Sequence, residues 1–303
     1  MKGRAALILL NKPPGVTSFK ALEEVKNVYK KVGHTGTLDK FAEGLLVILT
    51  GPFTKLNPLI TPLDKSYIAT IKFGQETDTL DPEGEVIAEG PIPNLLQIEG
   101  AIKKFTGPFM QIPPLYSALH VEGERAHRLA RGGLEFEIPP REVEVYSSDL
   151  LSWDPPYLKL KVHCSKGTYI RSLARDIALE VNSRAHLTNL VRVSIGPYNL
   201  DEATSAPSLC SQSISVSRER LLRLGNFGTI VVNEEGRRAI SYGNIPPKMG
   251  YLRVDLKAED DKALVVDSND TLLAIAKVDP MGEIVGYWAL LGGEVWKFTT
   301  LTN

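Results

Sequence analysis

Two uninterrupted aliphatic runs, residues 5–10 and 45–49, constrain this 303-residue chain more than any other feature. Continuous apolar stretches of that length, bounded by turn residues, read as buried strands. The first extends to Asn11 and closes at the turn Lys12-Pro13-Pro14-Gly15. Ser18 then stands as an N-cap before Ala21, Leu22, Val25, Val28 and Tyr29 at helical spacing. A glycine-punctuated loop over residues 32–39 leads into the second run.

Further along, residues 67–73 read as a strand ending at Gly74. An acidic loop with Thr77, Asp78 and Asp81 precedes a short strand at 85–88. A helix over 95–105 stops at Gly107-Pro108. The stretch 108–142 is dense in Pro, Gly and Arg, with one short helix expected at 125–131; such long irregular segments are usually functional or mobile. Leu158, Leu160, Val162 and Cys164 alternate with polar residues as in a half-buried strand. A helix fits 169–181, with Arg171 and Arg175 sharing a face away from the apolar one, and a strand follows at 189–195. Residues 201–226 are Ser-rich apart from a helix-like run at 218–224. Beyond them, strands at 229–232, 263–266, 272–278 and 286–290 are spaced as in a small β-barrel or sandwich. The expectation is an α+β chain with domains 1–226 and 227–303.

At 43% hydrophobic and 23% charged residues, the composition is that of a globular protein. The apolar run near residue 5 is too short for a secretory core, no stretch approaches a membrane span, and Cys164 and Cys210 match no metal spacing. A cytoplasmic location and small buried cysteines are expected. The net charge of −1 hides an uneven distribution. Residues 1–55 carry nine Lys/Arg against four Asp/Glu, and residues 157–197 carry seven against two. Folded together, these segments can form one positive face for a polyanion.

The loop Gly33-His34-Thr35-Gly36-Thr37-Leu38-Asp39 can bring its backbone close to a ligand. Its carboxylate can be a nucleophile, a general base or a cap for local amides. No phosphate loop, serine elbow or zinc-binding helix is present. A glycosidase would need a second carboxylate, for which Asp78 and Asp81 are candidates.

That loop and the string Asn11-Lys12-Pro13-Pro14-Gly15-Val16-Thr17-Ser18 closely resemble the first two motifs of the TruB family of tRNA pseudouridine-55 synthases. Three further segments match in the same order: Lys65-Ser66-Tyr67-Ile68-Ala69, Gly167-Thr168-Tyr169-Ile170-Arg171-Ser172-Leu173 and Leu190-Val191-Arg192-Val193-Ser194-Ile195-Gly196. Pro113-Pro114-Leu115-Tyr116-Ser117-Ala118 resembles the start of the family's RNA-gripping insertion. The resemblance spans about residues 7–200. It implies the pseudouridine synthase fold, a mixed and largely antiparallel sheet flanked by helices, and conversion of uridine to pseudouridine in the T-loop of tRNA without cofactor or metal.

By the same resemblance, Asp39 stands at the catalytic aspartate and Arg171 at the arginine paired with it. An adjacent guanidinium is expected to lower the aspartate pKa by about 1–3 units. Tyr67 matches the tyrosine stacked on the extruded uracil, and His34 the residue that helps displace it. Tyr169 and Leu190 match the uracil pocket, while Lys12 and the Pro13-Pro14 turn support the catalytic loop. Read without the family, Tyr67, Tyr169 and Leu190 also suit ordinary packing, and His34 a hydrogen bond within its loop.

The chain departs from the family at Lys40, where proline is usual, and at Glu43, which replaces a small residue. Lys40 is expected to add a second cation beside Asp39. His120 and His127 stand where lysine and tyrosine are expected. Residues 235–243 resemble the helical entry of a PUA module, a small β-rich RNA-binding domain. The implied partner is the T-arm of tRNA, bound by a monomer with no membrane and no obligatory protein partner, and the basic segments with residues 125–131 are expected to contact phosphates. Two other readings are a guide-RNA-dependent synthase subunit and a catalytically idle tRNA-binding or RNA-folding protein.

Overall fold

The computed structural model describes residues 6–117, 120–121, 124–125, 136, 138–205, 221–225 and 227–291. The first aliphatic run is strand β1 (Leu7–Lys12). A 3-10 turn (Lys20–Leu22) and helix α1 (Glu23–Val28) follow it. Ser18 does not cap that helix; its hydroxyl instead accepts from the Leu38 N–H and donates to the Leu38 carbonyl, both at 2.8 Å. The front of the glycine loop is a short strand, β2 (Val32–His34), paired with the second run, β3 (Glu43–Thr50).

Strand β4 (Lys65–Phe73) alternates buried and half-buried positions, as its sequence pattern requires. Strands β5 (Gln75–Thr77) and β6 (Val86–Glu89) form a hairpin around the acidic loop. Helix α3 (Leu95–Lys104) carries a full capping box from Asn94 and Gln97; it is preceded by the short helix α2 (Asn57–Ile60).

The segment expected to be irregular begins with strand β7 (Gly107–Gln111) and ends in β10 (Arg141–Asp154), fourteen residues long. Between them, β8 (His120–Val121) pairs with β9 (Glu124–Arg125), so Arg125 lies in a strand rather than in the expected helix. The rest of that helix, with His127, lies outside the described residues.

Strand β11 (Tyr157–Cys164) buries alternate residues, helix α4 (Ile170–Glu180) packs its apolar face inward, and β12 (Ala185–Ile195) follows. The large sheet runs β14-β1-β3-β12-β4-β11-β10-β7, with β2 beside β3, and β13 (Tyr198–Asn199) beside β12; β14 is Thr204–Ser205. Its pairings are antiparallel except β1 with β14 and β3 with β12. This is the mixed, largely antiparallel sheet that the family resemblance implies.

The C-terminal region forms one five-stranded sheet in the order β16-β15-β17-β18-β19, built from Tyr251–Asp255, Phe227–Val232, Lys262–Asp267, Leu272–Val278 and Ile284–Leu290. Helix α5 (Glu234–Ser241), N-capped by Asn233, places Ile240 on one face with Ile230, Val232, Ala263 and Val265. The other face is not free. Leu264, Val266, Leu272 and Ile275 share a core with Leu7, Leu9, Leu45, Val47 and Leu49. The intervening residues Ile8, Leu10, Leu46 and Ile48 pack towards α1. Strands β1 and β3 are therefore covered on both sides, which is why their sequences show no polar alternation. No helix among the described residues is long and apolar enough to cross a membrane.

Candidate active site

The site forms where the loop after β2, the N-terminal end of α4 and the hairpin loop between β5 and β6 converge. Arg171, in the first turn of α4, is 4% exposed, although the helical pattern alone gave it a solvent-side face. Its Nε lies 2.9 Å from Asp39 Oδ2, and its Nη2 donates to Asp39 Oδ1 at 3.2 Å. Nη1 donates to Asp81 Oδ2 at 3.2 Å and to the Thr79 carbonyl at 2.9 Å, and Nη2 also reaches the Tyr116 carbonyl at 3.0 Å. One guanidinium thus holds two carboxylates and two main-chain oxygens, a use of the planar fork that an ammonium cannot copy.

Burial raises the Asp39 carboxyl above its ordinary pKa; Arg171 opposes the rise, and Asp81 adds to it. The expectation of a lowered pKa is therefore corrected. The cation is present, but withdrawal from water outweighs it, and a second carboxylate shares the same arginine. The Lys40 ammonium extends into solvent and pairs with Glu83 at 2.6 Å.

The sequence offers Asp81 as one acid of an acidic loop and, with Asp78, as a candidate second carboxylate, but not as a partner of Arg171. The Asp81 side chain accepts from Thr79 Oγ1 at 2.7 Å and from the Glu83 N–H at 3.0 Å. The loop closes tightly over Gly84, where a Cβ would fall 2.1 Å from Asp78 Oδ1. Gln111 carries no sequence signal of its role: it accepts from the Tyr169 N–H at 2.9 Å and donates to the Tyr169 carbonyl at 3.2 Å, fixing the entry to α4. No local pattern announces either role, since both depend on residues more than 50 positions away.

The other expected site residues distribute as follows. Tyr67 and Leu190 are buried with Leu38 in one apolar cluster, on the neighbouring strands β4 and β12. Burial raises the Tyr67 phenol pKa, and Asp39 is among the charges that it senses. Tyr169 is half-buried beside Ser117, and burial raises its pKa, with Asp39 and Arg171 both acting on it. His34 is half-buried at the end of β2, where burial and then Arg192 lower its pKa; its Nδ1 has no hydrogen-bond partner among the described residues.

Lys12 is fully buried and donates to the carbonyls of Pro13, Val16, Lys40 and Ala42 at 2.6–3.4 Å. Burial pulls its pKa down to about 8. Together with the bond from the Gly15 N–H to the Lys40 carbonyl at 2.8 Å, it clamps the proline turn to the far end of the aspartate loop. Among the described residues no group of three His, Cys, Asp or Glu side chains is arranged to hold a metal.

A carboxylate braced on a buried arginine, with Tyr67 on the mixed sheet and Tyr169 at the entry to α4, defines the class: this is the pseudouridine synthase fold. Over 96% of its length the chain superposes on a solved Cbf5-Nop10-Gar1 complex with a TM-score of 0.65, covering 84% of that chain at 22% identity, a likeness of fold alone. A family model, TruB family pseudouridylate synthase (N terminal domain), matches residues 25–170. The tRNA pseudouridine synthase B of Borreliella burgdorferi (strain ZS7) is 41% identical over 267 residues, 86% of this chain and 93% of that one. The protein of the same name from Francisella tularensis subsp. novicida is 45% identical over 233 residues, covering 75% and 76%. The chain belongs to the TruB family.

Proposed function

We propose that this chain isomerises uridine to pseudouridine in the T-loop of tRNA, with Asp39 as the nucleophile. The relatives named above are called tRNA pseudouridine synthases, and the Asp39–Arg171 pair is the observation that supports this reading in this chain. Sequence-specific recognition of RNA favours loops whose bases can be splayed out, as this chemistry requires. The carboxylate attacks the flipped nucleoside and the C1′–N1 bond breaks. The freed uracil turns, C5 bonds to C1′, the bond to Asp39 breaks to regenerate the carboxylate, the C5 proton leaves and N1 takes one up. Atoms and electrons balance without an oxidant, ATP or metal.

In this reading Tyr67 stacks on the base, Tyr169 and Leu190 line its pocket, and His34 displaces it from its neighbours. Stacking of about 1–3 kcal/mol repays much of the cost of flipping. Arg171 orients Asp39 and Lys12 braces its loop. The chain acts alone as a monomer, in the cytoplasm, and the region from residue 227 is a PUA-like RNA-binding domain.

The test is the isolated protein with an unmodified tRNA transcript, followed by mass spectrometry of nucleosides mapped to position. Pseudouridine in the T-loop is expected. A requirement for added guide RNA would transfer the chain to the guided class, and binding without product would make it an RNA-folding protein.

A further inference from the structure

We propose that Arg192 is a positioning residue for this reaction, fixing the Asp39 loop against the Tyr67 wall of the cleft. The inference rests on the function proposed above and adds a residue to it. Strand β12 lies between β3 and β4, and Arg192 stands directly opposite Gly44 on one side and Tyr67 on the other. It is 1% exposed. Its Nε donates to the Leu45 carbonyl at 2.8 Å, its Nη1 to the Thr37 carbonyl at 3.2 Å and its Nη2 to the Gly36 carbonyl at 3.1 Å. Two of these oxygens belong to the loop that ends in Asp39, and the guanidinium also lies beside the Tyr67 hydroxyl.

The close approach is built in. A Cβ on Gly44 would fall 2.4 Å from the Arg192 carbonyl oxygen and 2.8 Å from its nitrogen, so β3 and β12 can meet here only at a glycine. Buried carbonyls need donors, and a planar fork can reach three of them in different directions while keeping a fixed geometry. Arg192 thereby registers the nucleophile's loop against the aromatic wall. Its burial removes it from the phosphate-contacting face that its basic segment suggested.

The experiment compares wild type, R192K, R192Q, Y67F and R192K/Y67F on the tRNA transcript, with melting temperatures and kcat and KM measured from pH 5 to 9. A displacement of about 1 Å at a reacting centre costs about a hundredfold in rate. R192K loses the fork and leaves buried carbonyls short of donors, so it is expected to stay folded but melt below the wild-type temperature, to lose about a hundredfold in kcat and to keep KM within about threefold. Its loss and that of Y67F are expected to be less than additive, because the two side chains touch.

Asp39 also faces Arg171, Asp81, Lys12, Tyr67 and Tyr169, and Arg192 favours its ionised form. R192Q is therefore expected to move the acidic limb to higher pH, whereas R192K, which keeps the charge, is not. A raised KM at unchanged kcat would make Arg192 an RNA contact and overturn the inference. So would equal, purely additive losses in both variants that follow melting temperature without any displacement of the pH limb. An active wild type with an unimpaired R192K variant overturns the inference alone; an inactive wild type overturns the proposed function itself.

Discussion

Asp39 and Arg171 meet edge to edge, Oδ2 at 2.9 Å from Nε and Oδ1 at 3.2 Å from Nη2, while the opposite corner of the same guanidinium holds Asp81. Asp39 is thus one of two carboxylates on one guanidinium, and its ionisation is set by that sharing as much as by the arginine.

Asp39→Asn is expected to abolish turnover and to leave tRNA affinity within about tenfold, or ~1.4 kcal/mol. Because burial raises the Asp39 pKa, the ionised form is disfavoured in the folded chain, and stability from this group falls as pH rises from the unfolded value through the folded one. The neutral amide should therefore melt at or above the wild-type temperature at pH 7.5. A lower melting point together with lost binding would mark Asp39 as structural.

Asp81→Asn should move the acidic limb of kcat/KM to lower pH. Asp81 adds to the rise in the Asp39 pKa, so removing its charge lets Asp39 ionise earlier. The plateau rate should also fall, because Arg171 loses one of its anchors. A pH–rate series on both proteins separates the two effects, and an unmoved limb would exclude the coupling.

Arg171→Lys keeps the charge and loses the fork. Two carboxylates and two carbonyls would compete for one ammonium, and breaking such a buried pair costs about 3 kcal/mol or more. A fall in both activity and denaturant midpoint is expected, with the stability loss relieved in Arg171→Lys/Asp81→Asn.

Tyr67 packs in the main core as well as facing the site. Tyr67→Ala should therefore lose about 3 kcal/mol of stability along with activity, from the cavity left behind. Tyr67→Phe keeps the ring and should retain the fold. Denaturation curves read beside product formation distinguish the two contributions.

Cys164 is buried, and that burial pushes its thiol pKa up to about 12. In a Cys210→Ser background the native protein should resist iodoacetamide at pH 8 and react fully only when unfolded. Rapid native labelling would contradict the packing of β11.

Much of the fold was legible because strand and helix periods are local. The alternation of Leu158, Leu160, Val162 and Cys164 and the capped helix after Asn94 appear in the structure within a residue or two of where the pattern places them. The edge strand β7 and the long β10 were missed, since Gly107-Pro108 opens β7 as a turn would and β10 mixes polar and charged residues among its apolar ones, so neither strand shows a clean apolar face. Ser18 was misassigned for a related reason: a serine before a helix signals a cap, but the Leu38 backbone competed for its hydroxyl and won.

The amino-acid order by itself determined which strands are buried, which glycine-punctuated loop carries Asp39 and which family motifs the chain contains. Only the tertiary structure decided which charges turn inward. Lys12, Arg171 and Arg192 were counted with a basic surface, yet all three are buried against carbonyl oxygens or carboxylates. It likewise decided that the C-terminal sheet closes over β1 and β3. Apolar periodicity is written residue by residue, whereas the burial of a charge depends on partners that only the folded chain brings within hydrogen-bonding reach.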